Sequence, residues 1–159
     1  MADPFDSWSL DREIVLVKVI NHPRHRVFAA WMDPNALAQW YGPAGLAIES
    51  IEADIREGGV WRFDMVGMFE GREQRFPNLM RFLEIVPNER IVYTWNWRNN
   101  PTMASWNSER VVVQFADEAG GTRLTIQHEG FETEKVRASH EFGWKGCCDK
   151  LITYLEQHG

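Results

Sequence analysis

From Ala47 to His128 the apolar side chains recur at every second position, and from Glu134 to Gln157 at every third or fourth. A period of two is the spacing of strands with one buried face; a period near 3.6 is that of a helix with an apolar stripe. A chain with a run of half-buried strands ahead of one long amphipathic helix must lay that helix across the sheet, because each element has a single face to bury. The spacing predicts strands at residues 47–55, 60–65, 79–86, 91–97, 111–115 and 124–128. In the second of these Trp61, Phe63 and Met65 oppose Arg62 and Asp64, and in the fourth Ile91, Tyr93, Trp95 and Trp97 share a face. Pro87-Asn88-Glu89-Arg90 and Glu118-Ala119-Gly120-Gly121 are turn sequences, so antiparallel pairing of neighbours is the economical topology.

Ahead of this run, residues 12–20 are rich in Ile and Val and form a further strand, which Asn21 and Pro23 end. Val27, Phe28, Ala30 and Trp31 mark a short helix over 23–32. Asp33 then caps a second helix with Pro34 at its first position, and Gly42-Pro43 closes it after Ala36, Leu37 and Trp40. On the final helix Trp144, Cys147 or Cys148, Leu151, Ile152 and Leu155 form one face, with Lys145, Asp149, Lys150 and Glu156 on the other. The order strand, two short helices, strands, long helix is that of an α+β fold with the long helix inside the sheet's curve. A chain of 159 residues has room for one core, expected as a single domain over 12–159 behind a flexible arm at 1–11.

Composition excludes several function classes. There are 17 Lys+Arg against 23 Asp+Glu, a net charge of −6, and no basic stripe to neutralise a phosphate backbone, so nucleic acid is not an expected partner. No apolar run is long enough to span a bilayer, and the first ten residues lack the basic and apolar regions of an export signal. A cytoplasmic location is expected. Cys147 and Cys148 are adjacent, too close for an ordinary disulfide, and are expected as reduced thiols. There is no Gly-rich phosphate loop, nucleophile elbow or dinucleotide fingerprint, and no cofactor is expected. His140-Glu141 begins like a zinc-protease helix, but Trp144 stands where the second histidine would be. His22 and His25 lack a further ligand of suitable spacing, so no metal is expected either. Glu49, Glu52, Asp54 and Glu57 alternate between faces and form no acid–base pair.

The run Val27-Phe28-Ala29-Ala30-Trp31-Met32-Asp33-Pro34, followed by Leu37 and Gln39-Trp40-Tyr41-Gly42-Pro43, resembles the signature of bacterial proteins similar to the C-terminal domain of the heat-shock-protein ATPase activator. These belong to the START-like, SRPBCC superfamily. Gly58-Gly59-Val60-Trp61-Arg62-Phe63, Glu84-Ile85-Val86-Pro87 with Arg90-Ile91-Val92-Tyr93-Thr94-Trp95, Gly121-Thr122-Arg123-Leu124-Thr125 and Gly143-Trp144 match in the same order. The resemblance implies the helix-grip fold also found in the birch pollen allergen: a seven-stranded antiparallel sheet curved around the C-terminal helix, with a hydrophobic cavity that binds apolar ligands in several relatives. The expected ligand-binding residues are Trp40, Phe63, Met65, Tyr93, Trp95, Val113, Phe115, Ile126 and His128, roofed by Trp144 and Cys148. Aromatic residues at this spacing serve equally as plain core.

By alternation from Leu124 and Ile126, His128 points into the cavity, where an imidazole can orient a ligand oxygen or act as a base. It is the sole catalytic candidate; otherwise it anchors the loop at Gly130-Phe131. Residues 98–108 are polar yet contain Met103 and Trp106, as a lid over the cavity mouth would. The expected function is a non-enzymatic carrier or sensor of a small apolar or aromatic molecule, with His128 or Arg62 as polar handle. Two alternatives stand beside it: an enzyme resembling polyketide cyclases, aromatases or hydratases, and a co-chaperone-type domain in the stress response that docks on the heat-shock ATPase. The chain is expected as a monomer or homodimer.

Overall fold

The computed structural model describes residues 13–69, 71–96, 109–131 and 134–158. Seven strands form one antiparallel sheet in the order β1-β7-β6-β5-β4-β3-β2. The strands are β1 (Ile14–Ile20), β2 (Leu46–Ala53), β3 (Val60–Phe69), β4 (Arg72–Val86), β5 (Arg90–Asn96), β6 (Glu109–Glu118) and β7 (Gly121–Glu129). β2 to β7 are the expected meander. β1 pairs with β7, Leu16 opposite Ile126, and the helices α1 (Arg24–Trp31) and α2 (Pro34–Trp40) carry the chain from there to the far edge at β2. Helix α3 (Glu134–Gln157) has the limits its periodicity predicts. Among the described residues no helix is long and apolar enough to cross a membrane.

The local chemistry explains the boundaries. Asp33 Oδ1 accepts the Asn35 backbone N–H at 2.9 Å and so caps α2, with Pro34 where a missing N–H costs nothing. Ala119 and Gly120 both have positive φ, 49° and 84°, the pair of left-handed residues that a tight two-residue hairpin needs. Several strands are longer than their alternation indicates. β4 begins at Arg72 rather than at residue 79, because its first half is held by charge: Arg75 donates to Asp64 at 2.6 Å and to Glu49 at 2.9 Å, across two neighbouring strands. Burial still alternates here, with Gln74 and Phe76 half-buried and Asn78 buried, but two of these three are polar, so the sequence shows no apolar period of two. The expected arm at 1–11, Trp97 and the expected lid at 98–108 lie outside the described residues.

The sheet's inner face carries the alternating set Trp61, Phe63 and Met65, then Met80 and Phe82, then Ile91, Tyr93 and Trp95, then Val111, Val113 and Phe115, and finally Leu124, Ile126 and His128, all buried. From α3, Trp144, Cys147, Cys148, Leu151 and Leu155 are buried against it, so both cysteines are on the inward side. Each large side chain removed from water contributes roughly 1.5–3 kcal/mol. This one cluster also includes Val27, Phe28 and Trp31 of α1 and Leu37 and Trp40 of α2.

Candidate functional site

The site begins where α2 ends. Tyr41 is extended, with ψ 151°, and Gly42 turns the chain with φ +93°, which only glycine adopts without strain. The carbonyls freed at this helix end need donors, and Lys150 of α3 supplies one: its Nζ lies 3.3 Å from the Tyr41 oxygen and 3.4 Å from those of Gly42 and Leu46. Partial burial holds the Lys150 pKa below its ordinary value. With its backbone fastened to α3, Tyr41 drops its ring into the concave face. The ring centroid lies 4.8 Å from Trp61, 5.7 Å from Phe63, 5.9 Å from Trp31 and Trp144 and 6.0 Å from Trp95. Most of these contacts are edge-to-face, the arrangement aromatic quadrupoles favour. The Tyr41 and Tyr93 hydroxyls are 2.6 Å apart, and burial pushes both phenols well above their usual pKa, so both are neutral.

Next to this pair lies a polar chain. Trp144 Nε1 donates to His128 Nδ1 at 2.9 Å, and His128 Nε2 is 2.7 Å from Glu109 Oε1. An indole can only donate, so Nδ1 is the unprotonated nitrogen and Nε2 carries the hydrogen that Glu109 accepts. Burial pushes the His128 pKa down to about 3; the contact is therefore a hydrogen bond from a neutral imidazole rather than an ion pair. His140 Nε2 lies 3.9 Å from the same carboxylate oxygen. Trp95 stacks on His128 with centroids 5.1 Å apart and donates to Asn78 Oδ1 at 2.8 Å, while Asn78 donates to the Phe76 carbonyl at 2.9 Å. Strand register creates this group: Trp95 pairs with Glu109 across β5 and β6, and Val111 pairs with His128 across β6 and β7.

All eleven expected ligand-binding residues are buried. Phe63, Tyr93, Trp95, His128 and Trp144 join one network of rings through Tyr41, Trp61 and Trp95. Phe115 packs against Phe28 and Trp31, and Trp40 against Trp31, its indole donating to the Ala30 carbonyl at 3.0 Å. Met65, Val113 and Ile126 are core members of the same face, and Cys148 lies toward Lys18, its thiol pushed up to about 12 by burial. Cys147 is the thiol near the two tyrosines, with its sulfur 3.9 Å from the Trp40 carbonyl. Arg62 is exposed on the opposite face of β3 and is no handle for a ligand within the grip.

Tyr41, Trp61, Asn78, Glu109 and His140 are additions to the expected set. Glu109 continues the alternation Phe115, Val113, Val111 by one step, and His140 precedes Trp144 by one helical turn, so both carried a signal. A groove of about 300 Å³ lies away from the sheet, between Gln39 and Ala44 on one side and Lys150, Thr153 and Tyr154 of α3 on the other.

Comparison with known proteins places this arrangement in a family. The model of the "Activator of Hsp90 ATPase homolog 1-like protein" family matches residues 21–156. The chain belongs to that family. Among solved structures it is similar to the protein CV1439 of Chromobacterium violaceum, with 28% identity, a TM-score of 0.79 and coverage of 92% of this chain and 99% of that one. The AHSA1 protein of Silicibacter pomeroyi is 25% identical with a TM-score of 0.73, over 92% of this chain and 99% of the other. An AHSA1-like protein of Aeromonas hydrophila, 24% identical with a TM-score of 0.71 over 92% and 94% of the two chains, shares the fold. No curated protein matches. Family membership confirms the helix-grip reading of the sheet and α3; a shared fold does not by itself assign a ligand or a reaction.

Proposed function

We propose that the protein is a carrier or sensor that holds a small apolar or aromatic molecule between the concave face of the sheet and α3, in a reducing cytoplasm. The observation that carries this reading is the make-up of the contact between the two layers. The centre of the grip is built of ring edges and faces, Tyr41, Trp61, Phe63, Tyr93, Trp95 and Trp144, around neutral polar groups, where a purely structural core is more simply filled by branched aliphatic side chains. Ring walls with a few placed polar atoms are the usual lining of small-molecule sites. His128 favours binding over acid–base catalysis, since Trp144 and Glu109 engage both of its nitrogens and make it an orienting residue.

The test is titration of the purified protein with N-phenyl-1-naphthylamine, an uncharged dye that brightens on leaving water. Near one dye per chain is expected, displaced by small aromatic molecules, and native mass spectrometry of protein from its own host should show a co-purifying small molecule. No dye binding by protein shown to be ligand-free would sink the reading; a co-purifying heat-shock ATPase instead would favour the co-chaperone alternative.

A further inference from the structure

The hydrogen-bond groups around Tyr41 are unbalanced in one direction. Two hydroxyls hydrogen-bonded to each other use one of their two hydrogens; the second O–H of the Tyr41–Tyr93 pair has no acceptor among the described residues. The indole N–H groups of Trp31 and Trp61, both buried, also lack one. Both rings pack edge-to-face on Tyr41, with centroids 5.9 and 4.8 Å from it. The other orphaned buried atoms, Glu13 Oε2 and Thr94 Oγ1, are elsewhere: Thr94 alternates with Tyr93 and Trp95 and so faces away from α3, and Glu13 lies at the start of β1. Three donors with no protein acceptor thus share one aromatic cluster, and each buried donor left unpaired costs about 1–3 kcal/mol. Buried groups are ordinarily paired, and a local excess of one type marks a place where something else supplies the other.

We propose that Tyr41 and Tyr93, with Trp61 and Trp31, form an acceptor-binding subsite that takes the carbonyl oxygen of a neutral aromatic ketone. This deepens the carrier reading and rests on it. An oxygen acceptor answers the donor excess, and ring walls favour a planar aromatic body. Neutrality follows from the surroundings. Lys150, the cation at this turn, is directed to the carbonyls of Tyr41, Gly42 and Leu46, and an anion without a counter-charge is strongly disfavoured inside a protein. The Cys147 thiol beside the tyrosines is kept protonated by burial and is aimed toward the Trp40 carbonyl.

The experiment compares two probes of nearly equal shape, 2-acetylnaphthalene and 2-isopropenylnaphthalene, in which a C=O is replaced by C=CH2. The unaltered protein should bind the ketone about tenfold more tightly, the value of one well-made hydrogen bond in a dry site. In Tyr41→Phe/Tyr93→Phe that preference should fall to within about twofold. Both hydroxyls have to be removed, since either alone can still donate. Trp61→Phe keeps the hydroxyl pair and should lower the preference by about threefold, which keeps the inference testable if the double variant does not fold. Equal affinity of the unaltered protein for the two probes, or a preference untouched in both variants, overturns the subsite and leaves the grip reading standing. Failure of both probes to bind overturns the grip reading and the subsite with it.

Discussion

Two neighbouring regions of the concave face handle buried polarity in opposite ways. Around His128 four donor groups each have an acceptor: Trp144 gives to Nδ1, Nε2 gives to Glu109, Trp95 gives to Asn78 and Asn78 gives to a backbone carbonyl. Around Tyr41 the donors exceed the acceptors, with two indoles and one hydroxyl hydrogen unmatched among the described residues. The two regions touch, the Tyr41 ring lying 6.0 Å from Trp95 and 5.9 Å from Trp144, so burial alone does not distinguish them. What differs is the supply of acceptors. The closed network lies where β4 to β7 bring Asn78, Glu109 and His128 together. The open one faces α1 and the end of α2, where Trp31 and Tyr41 pack edge-to-face. A closed network fixes a core in one arrangement; a donor excess stores a binding preference.

The comparison is broken most strongly by removing the centre of the closed network. His128→Leu leaves Glu109 buried without the imidazole N–H and Trp144 without its acceptor, and should cost about 3 kcal/mol in urea melts. A loss below about 1 kcal/mol would mean that the network contributes little.

The same residue predicts a pH effect. With a folded-state pKa near 3 against about 6.5 when unfolded, the unfolded chain binds a proton between these values that the folded protein refuses. Stability from this group is complete above pH 6.5 and is lost as pH falls toward 3, by up to about 1.4 kcal/mol per unit. Glu129 acts oppositely. Burial, aided by Glu13 and resisted by Arg110, pushes its carboxyl up to about 7, so its contribution is lost as pH rises through that value. In Glu13→Gln/Glu129→Gln, which removes both carboxyls that burial raises, the His128 slope should dominate between pH 5 and 6.5, and His128→Leu in that background should lower it. An unchanged slope would contradict the buried neutral histidine.

Two indoles offer a matched pair. Trp144→Phe and Trp61→Phe remove the same atoms, but the first leaves His128 Nδ1 unpaired and the second removes a donor that lacks a protein acceptor. Trp144→Phe should therefore be the more destabilising by about 1 kcal/mol, and equal losses would erase the distinction between the regions. The smallest effect is expected for Tyr41→Phe/Tyr93→Phe. It removes both partners of a buried hydrogen bond without changing the ring contacts and should shift stability by less than about 1 kcal/mol.

Much of this arrangement is legible in the residues. The alternation through Phe63, Tyr93, Trp95 and His128 placed the concave wall, and the Trp144–Leu151 spacing placed the helix across it. Tyr41 was harder to foresee, because it follows α2 in a single extended residue whose direction is set by Lys150, 109 residues later in the chain; no local period encodes such a contact. The half of β4 before Asn78 is hidden for a different reason: its half-buried positions are Gln74 and Phe76, too few apolar residues to show a period, while Arg75 ties its exposed face to two carboxylates. Which indoles find acceptors is a tertiary outcome: Trp61 and Trp95 both pair with Met80, and Trp95 has the Asn78 oxygen within reach.

The most direct measurement is the indole N–H region of an assigned ¹⁵N–¹H spectrum during addition of 2-acetylnaphthalene. The Trp61 indole proton should move downfield as it gains an acceptor, while that of Trp144, already donating to His128, should stay in place. Movement of Trp144 with Trp61 unchanged would contradict it, since the ligand oxygen would then be entering the closed network and leaving the donor-rich one untouched.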